Sequence, residues 1–428
     1  MSKSRETSSA GTDRKIERSL SVCVVSYNAY TAVFPKGGKS VGGEETRSWQ
    51  IAFGLQRIDD CHVTLYLRSP KRLPTSEVKG VNIFRRPSWF PGWRRRASRC
   101  LTRTSAFPWI KVRQFEPELL WQLPILLLTK PFWTPEIRPR EVDDYLLQQP
   151  ADLFLVLGVN ADVSSVPVTA EELGKPVLLL LRSNADIPGN EGEENEYGED
   201  RQLMLEVLRG VDAIVCQNRQ QQQRLRERTG REGILLPSPI EISEWPVTKE
   251  KPEYVLWIGR SDQFHKRPER LLEIARQCPE IPFLMVMNRQ DPEVYRQVLC
   301  DLPPNVTHRE YVPFDQMPQI FAKAGVFVST GSLKHEGFPN VLLQAAAVGV
   351  PVVSNHDFDD FLESSRAGVA CGESTAAMAE TIQEFWQKRP ASLATVPEVR
   401  AYLAEHHSLS KYCDSLWKQI QNLTNRER

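Results

Sequence analysis

Three things are missing from this sequence of 428 residues: clustered cysteines, a long apolar run, and an excess of either charge. The eight cysteines stand singly, at Cys23, Cys61, Cys100, Cys216, Cys278, Cys300, Cys371 and Cys413. None belongs to a C-x-x-C pair, so zinc-knuckle and thioredoxin-type motifs are excluded. Several lie in apolar runs, where Cys behaves as a small buried hydrophobe. That pattern fits a reducing cytoplasm better than a disulfide framework, and a cytoplasmic protein is the expectation. No stretch reaches the roughly 18 apolar residues needed to cross a bilayer. The nearest, residues 119–128, is short and contains Pro124. Residues 1–18 are polar, lack the apolar core of a signal peptide, and are expected to be a disordered tail. Lys plus Arg and Asp plus Glu balance at 54 each, which argues against a general nucleic-acid binder.

What is present is a steady alternation. Apolar strand-like runs alternate with helical patterns, as parallel sheets with crossover helices require. In the first half the runs are residues 20–26, 62–67, 153–157, 177–181, 213–216 and 233–236. In the second they are 254–258, 283–287, 305–308, 326–329, 351–354 and 368–371. The predicted fold class is α/β, with two Rossmann-like doubly wound domains facing across a cleft. Residues 19–240 form the first domain, with an insertion at about 86–140. Residues 241–253, with two prolines and many charges, read as a linker. Residues 254–395 form the second domain, and 396–428 a C-terminal helical segment. Ligands of such sheets bind at the carboxyl ends of the strands.

The chemistry gathers in the second domain. In the run Glu336-Gly337-Phe338-Pro339-Asn340-Val341-Leu342-Leu343-Gln344, Pro339 suits a first helical position and Gly349 a helix end. The amides at such a helix start attract phosphate or electron-rich sugar oxygens. Glu336 lies on the loop before the helix, and Gln344 on a face that can look back toward that loop. Upstream, Gly259 and Arg260 end the strand YVLWI, and Lys266 follows. Arg and Lys there can neutralise a diphosphate without a metal.

The runs GR-x5-K and EGFPNVLLQAAAVGVPVVS together resemble the donor half of the GT-B glycosyltransferases of family 4, or group 1. The resemblance extends more loosely over about residues 20–425. It implies a GT-B architecture and transfer of a sugar from a nucleoside-diphosphate sugar to a hydroxyl acceptor, with retention, in glycan, polysaccharide or glycolipid synthesis. It implies that Arg260 and Lys266 hold the two phosphates and that Glu336 faces the donor sugar. Amides from Gly337 through Phe338 and Pro339 to Asn340 would contact sugar or phosphate. Gly42 and Gly43 would shape the loop by which the first domain approaches the phosphates. No metal or cofactor is implied. The partners are a nucleotide sugar and a carbohydrate or lipid-linked acceptor, with no nucleic acid.

Two positions depart from the family pattern. Gln344 stands where the family has a second Glu gripping the ribose. Hydrogen bonds to a charged group contribute about 1.5–3 kcal/mol and neutral ones about 0.5–1.5, so the change weakens nucleotide binding by about tenfold. The family often has a His after the strand PVLLLL; here Arg182-Ser-Asn184 follows, and either Arg182 or Asn184 is the candidate sugar or acceptor contact, with His335 beside Glu336 as a third. These departures leave open a non-catalytic GT-B-like binding subunit; a sugar-nucleotide epimerase is a further alternative, because GT-B-fold epimerases bind the same donors.

Other features have competing readings. Asp357-Phe358-Asp359-Asp360 looks like a D-x-D metal motif but stands in the wrong context, and His265, His335 and His356 lack paired ligand spacing. The stretch from Arg85 to Arg113 holds nine Lys or Arg and no acid, interleaved with Trp89, Trp93 and Trp109. It can be a solvated insertion, a wall of the acceptor groove, or a peripheral contact with the inner face of an anionic membrane. Residues 191–200 are strongly acidic and read as a surface loop.

Overall fold

The computed structural model describes residues 19–35, 42–88, 90–103, 107, 110–112, 115–132, 137–189, 200–247 and 251–425. The expected N-terminal tail, most of the acidic stretch, Trp89 and Trp109 lie outside them. The described residues build two large, mainly parallel sheets and a small antiparallel pair, Leu101–Arg103 with Ile110–Val112. The first has eight strands in the order Ile234–Leu235, Ala213–Cys216, Val177–Leu180, Leu153–Leu157, Leu20–Val25, Cys61–Ser69, Val81–Pro87 and Glu77–Val78. Only the last pair is antiparallel. The second has six parallel strands: Val306–Arg309, Phe283–Asn288, Tyr254–Arg260, Ala324–Ser329, Val352–Ser354 and Gly368–Ala370.

The runs of Val, Leu and Ile form strands because both faces of each sheet are covered, so every residue can be apolar. Successive side chains go to opposite faces. Val22, Val24, Leu65 and Leu155 thus enter one core, while Cys23, Val25, Tyr66 and Phe154 enter the other. The second sheet repeats this, with Leu256 and Phe327 on one side and Val255, Trp257 and Val328 on the other. Full burial of such a side chain stabilises by about 1.5–3 kcal/mol. All eight cysteines are free thiols.

The topology decides where a ligand can sit. In the second sheet, Tyr254–Arg260 lies between Phe283–Asn288 and Ala324–Ser329, so the winding reverses beside it. In the first, it reverses between Leu20–Val25 and Leu153–Leu157. Crevices open at the carboxyl ends of strands at such reversals.

Two sequence expectations change, and a third, the C-terminal helical segment, becomes definite. The insertion starts later than residue 86, because Val81–Pro87 is a strand of the sheet. Arg86 on that strand is buried and ion-paired with Asp143, so it leaves the basic stretch. The segment 241–253 is more than a linker: Trp245 is buried against Phe314 and Phe321 of the second domain. The C-terminal segment divides into helices Val396–His406 and Leu409–Thr424. The second packs on helix Gly43–Gln56, and its Leu409, Tyr412, Leu416 and Ile420 join a core of the first domain.

Candidate active site

A cleft of about 610 Å³ lies between the two domains. Its second-domain wall forms at the winding reversal. The strand Tyr254–Arg260 delivers Gly259 and Arg260 to it, and helix Asn340–Val348 delivers Asn340 and Gln344. The loop after Arg260 is shaped by Asp262, whose carboxylate accepts the amides of Phe264 (2.7 Å) and His265 (2.8 Å) and pairs with Arg260 Nε at 3.1 Å. Burial alone would raise the Asp262 carboxyl, but Arg260 and those amides hold it below its ordinary value. The turn brings Lys266 back over the cleft. There Nζ lies 2.8 Å from Oε1 of Glu336, a residue only 8% exposed.

This pairing explains how a carboxylate survives in a buried place. Burial alone would raise its pKa, yet the charge of Lys266 above all holds it below the ordinary value. His265 Nδ1 is 3.9 Å from the same oxygen. Burial pushes the His265 pKa down to about 4, leaving the ring neutral at pH 7 and Lys266 as the compensating cation.

Arg260, Lys266, Glu336, Gly42, Gly43, Gly259, Phe338, Pro339, Asn340, Gln344 and Arg182 all line this cleft. A Cβ on Gly43 would sit 3.6 Å from Asn340 Nδ2, so the walls nearly meet there. Arg182 bridges Glu44 (2.8 Å) and Asp186 (2.9 Å). The half-buried Glu45 is pushed up to about 7 by burial and by the neighbouring Glu44.

Some expected contacts fall elsewhere. Pro339 is the residue before the helix, not its first, because the hydrogen-bonded turn begins at Asn340. Gly337 and Phe338 are committed to the first domain: Asn218 Nδ2 donates to the Gly337 carbonyl (2.9 Å), and the Phe338 amide donates to Gln217 Oε1 (2.9 Å). A Cβ on Gly337 would meet Gln217 Oε1 at 2.7 Å, which is why glycine stands there. The amides left without an intrahelical acceptor at this end belong to Asn340 and Val341. Asn184 is buried and donates to Gln220 Oε1 and to the Leu333 carbonyl, an interdomain contact rather than a cleft wall. His335 is buried with its ring 5.7 Å from that of His265 and 5.9 Å from that of Phe264. Asp357 caps the amides of Leu362 and Glu363, while Asp359 and Asp360 engage Arg219.

The sequence reading passed over Gln50, Gln217, Trp245, Phe314 and Met317, all of which line the cleft. Gln217 had a usable signal, since it follows the carboxyl end of strand Ala213–Cys216. The others reach the cleft from helices or from the linker, where no periodicity marks them.

Residues 252–388 match the family described as Glycosyl transferases group 1. The second domain is a group 1 glycosyltransferase domain. Solved structures cover nearly the whole chain at low identity. Sucrose-phosphate synthase from Thermosynechococcus elongatus matches with a TM-score of 0.65 and 16% identity, over 94% of this chain and 99% of that one. HepE from Anabaena, in complex with UDP and glucose, matches at 0.61 and 13%, over 94% and 100%. A TarM mutant of S. aureus, in complex with fondaparinux, alpha-GlcNAc-glycerol and UDP, matches at 0.60 and 10%, over 95% and 100%. The search of curated proteins found no match. The glycosyltransferase domain and the domain facing it together have the GT-B fold.

Proposed function

We propose that the protein transfers a sugar from a nucleoside-diphosphate sugar to a hydroxyl acceptor with retained anomeric configuration, in glycan, polysaccharide or glycolipid synthesis. One observation carries the reading: Arg260, Lys266 and Glu336 converge on one interdomain cleft, with Lys266 Nζ 2.8 Å from the Glu336 carboxylate. In this reading Arg260 and Lys266 take up the charge that develops on the leaving diphosphate, so that no metal is needed. The leaving phosphate helps to deprotonate the acceptor hydroxyl. Glu336, kept ionised by Lys266, orients the donor sugar, and Gln344 hydrogen-bonds the ribose. The acceptor enters from the first domain, past Gly42, Gly43 and Arg182.

The test is donor turnover read by nucleotide release, with UDP-sugars as first probes because two structural neighbours hold UDP. Lys266→Ala and Arg260→Ala are each expected to lower turnover at least about hundredfold, with near-native circular dichroism. Unchanged turnover in both would sink the phosphate assignment. Donor epimerisation is a second reading, favoured by Glu44 and Glu45, which bring carboxylates to the opposite wall. Incubating donor without acceptor separates the two, because only an epimerase would then convert the sugar.

A further inference from the structure

The insertion in the first domain carries many apolar side chains on the outside. Twelve large hydrophobic side chains are exposed among the described residues, and nine of them lie between residues 107 and 128. Most come from helix Leu119–Thr129, which has no charged residue. Its buried stripe is Leu119, Gln122 and Leu126, while Leu120, Trp121, Leu127 and Leu128 are 50–76% exposed. This inverts the usual pattern of a water-facing helix, which turns its polar residues outward. The inversion is built in: Gln122 Oε1 accepts from Arg96 Nη1 at 2.9 Å, and Arg96 Nε pairs with Glu116 at 2.7 Å. Trp93 packs edge-on against Trp121, with ring centroids 4.8 Å apart. The polar groups thus hold the insertion together from within, and the apolar ones are left for something outside.

We infer that this helix face docks on the surface of an anionic lipid bilayer. Charge selects the occupant: the insertion from residue 88 to residue 130 holds eight Lys or Arg against two Glu. Such a surface pairs acyl chains for the leucines with headgroups for the cations, and Trp prefers the boundary between them. Eleven residues extend about 16 Å as a helix, too short to cross the roughly 30 Å of hydrocarbon, so the helix lies in the interface. The insertion leaves the sheet after Pro87, at the carboxyl end of a parallel strand. That is the end from which Leu157 and Arg182 reach the cleft. The insertion therefore departs from the same end of the sheet as the cleft. Relative to the sequence reading, the apolar anchor moves from the Arg/Trp stretch to the helix behind it.

Flotation of the full chain with vesicles tests this without donor or acceptor, so it succeeds or fails independently of the sugar-transfer reading. The protein should float with vesicles of phosphatidylcholine and phosphatidylglycerol, float poorly with phosphatidylcholine alone, and be released by high salt. Leu120→Glu with Leu128→Glu, at positions 69% and 76% exposed, should keep the native thermal midpoint and bind at least about tenfold more weakly. Absent binding of the wild type to anionic vesicles, or equal binding by the double variant, overturns the proposal. So does a dimer in sedimentation that the double variant loses while no vesicle binding is seen, which would give the face to a second copy of the chain.

Discussion

Lys266 and Glu336 form the centre of the candidate site because each solves the other's problem. A carboxylate with 8% exposure needs a cation, and the Lys266 ammonium beside it needs an anion. The residue whose role is sharpest to test is Gln344. It lies on helix Asn340–Val348 and lines the cleft, where the family resemblance puts a carboxylate. Gln344→Glu is expected to tighten UDP binding by about tenfold, since a charged acceptor replaces a neutral one at the ribose. Calorimetric titration measures it; weaker or unchanged affinity would remove Gln344 from the nucleotide site. Arg260, Lys266 and Glu336 were legible in the sequence because each is a charged residue at a strand end or helix start. Of the candidate contacts, Arg182 lines the cleft while Asn184 and His335 are buried away from its walls, because nearness in sequence to a site residue does not say which way a buried loop turns.

Among the elements, the last helix does more than its position in the chain suggests. Leu409–Thr424 starts beside the second domain, where Ser408 bridges to Ile240, and ends in a core of the first. Close packing on helix Gly43–Gln56 is made possible by Gly54, where a Cβ would stand 2.5 Å from Cys413 Sγ. That helix begins at Gly43 on the cleft wall, so the C-terminal helix braces one side of the site. Leu416→Ala at this fully buried position should destabilise the protein by about 2–5 kcal/mol. Urea denaturation measures the loss; a change below about 1 kcal/mol would show that the helix is not part of the folded core. The sequence marked residues 396–428 as a helical segment of one or two helices, but not where it breaks, nor that the two pieces pack on different domains. A period identifies an apolar stripe without naming what covers it.

At the scale of the molecule, the site exists because the domains are hydrogen-bonded to each other at the donor loop. Gln217 is the joint. Its Oε1 accepts the Phe338 amide, and its Nε2 donates to the Leu181 carbonyl at 2.5 Å. Gln217→Ala leaves a buried amide unpaired, a loss of roughly 1–3 kcal/mol. The expected outcome is a lower unfolding midpoint together with a raised KM for the donor, because the loop carrying Glu336 loses its support. Lower stability with an unaltered KM would mean that this joint holds the fold but not the site.

The two winding sheets were determined by the chain itself. Runs such as LFLVL and VLLL, alternating with helical patterns, read as strands buried on both faces, and the charged residues after YVLWI then stand at a carboxyl end. The family resemblance singled out Arg260, Lys266 and Glu336, and the structure brings all three to one cleft. Tertiary structure alone decided that Gly337 and Phe338 serve the domain joint, that Arg86 is sealed in a core ion pair, and that Leu120, Leu127 and Leu128 face outward. The physical reason is common to all three. Local sequence sets what a segment can form, whereas the choice of which face is covered depends on groups far away in the chain.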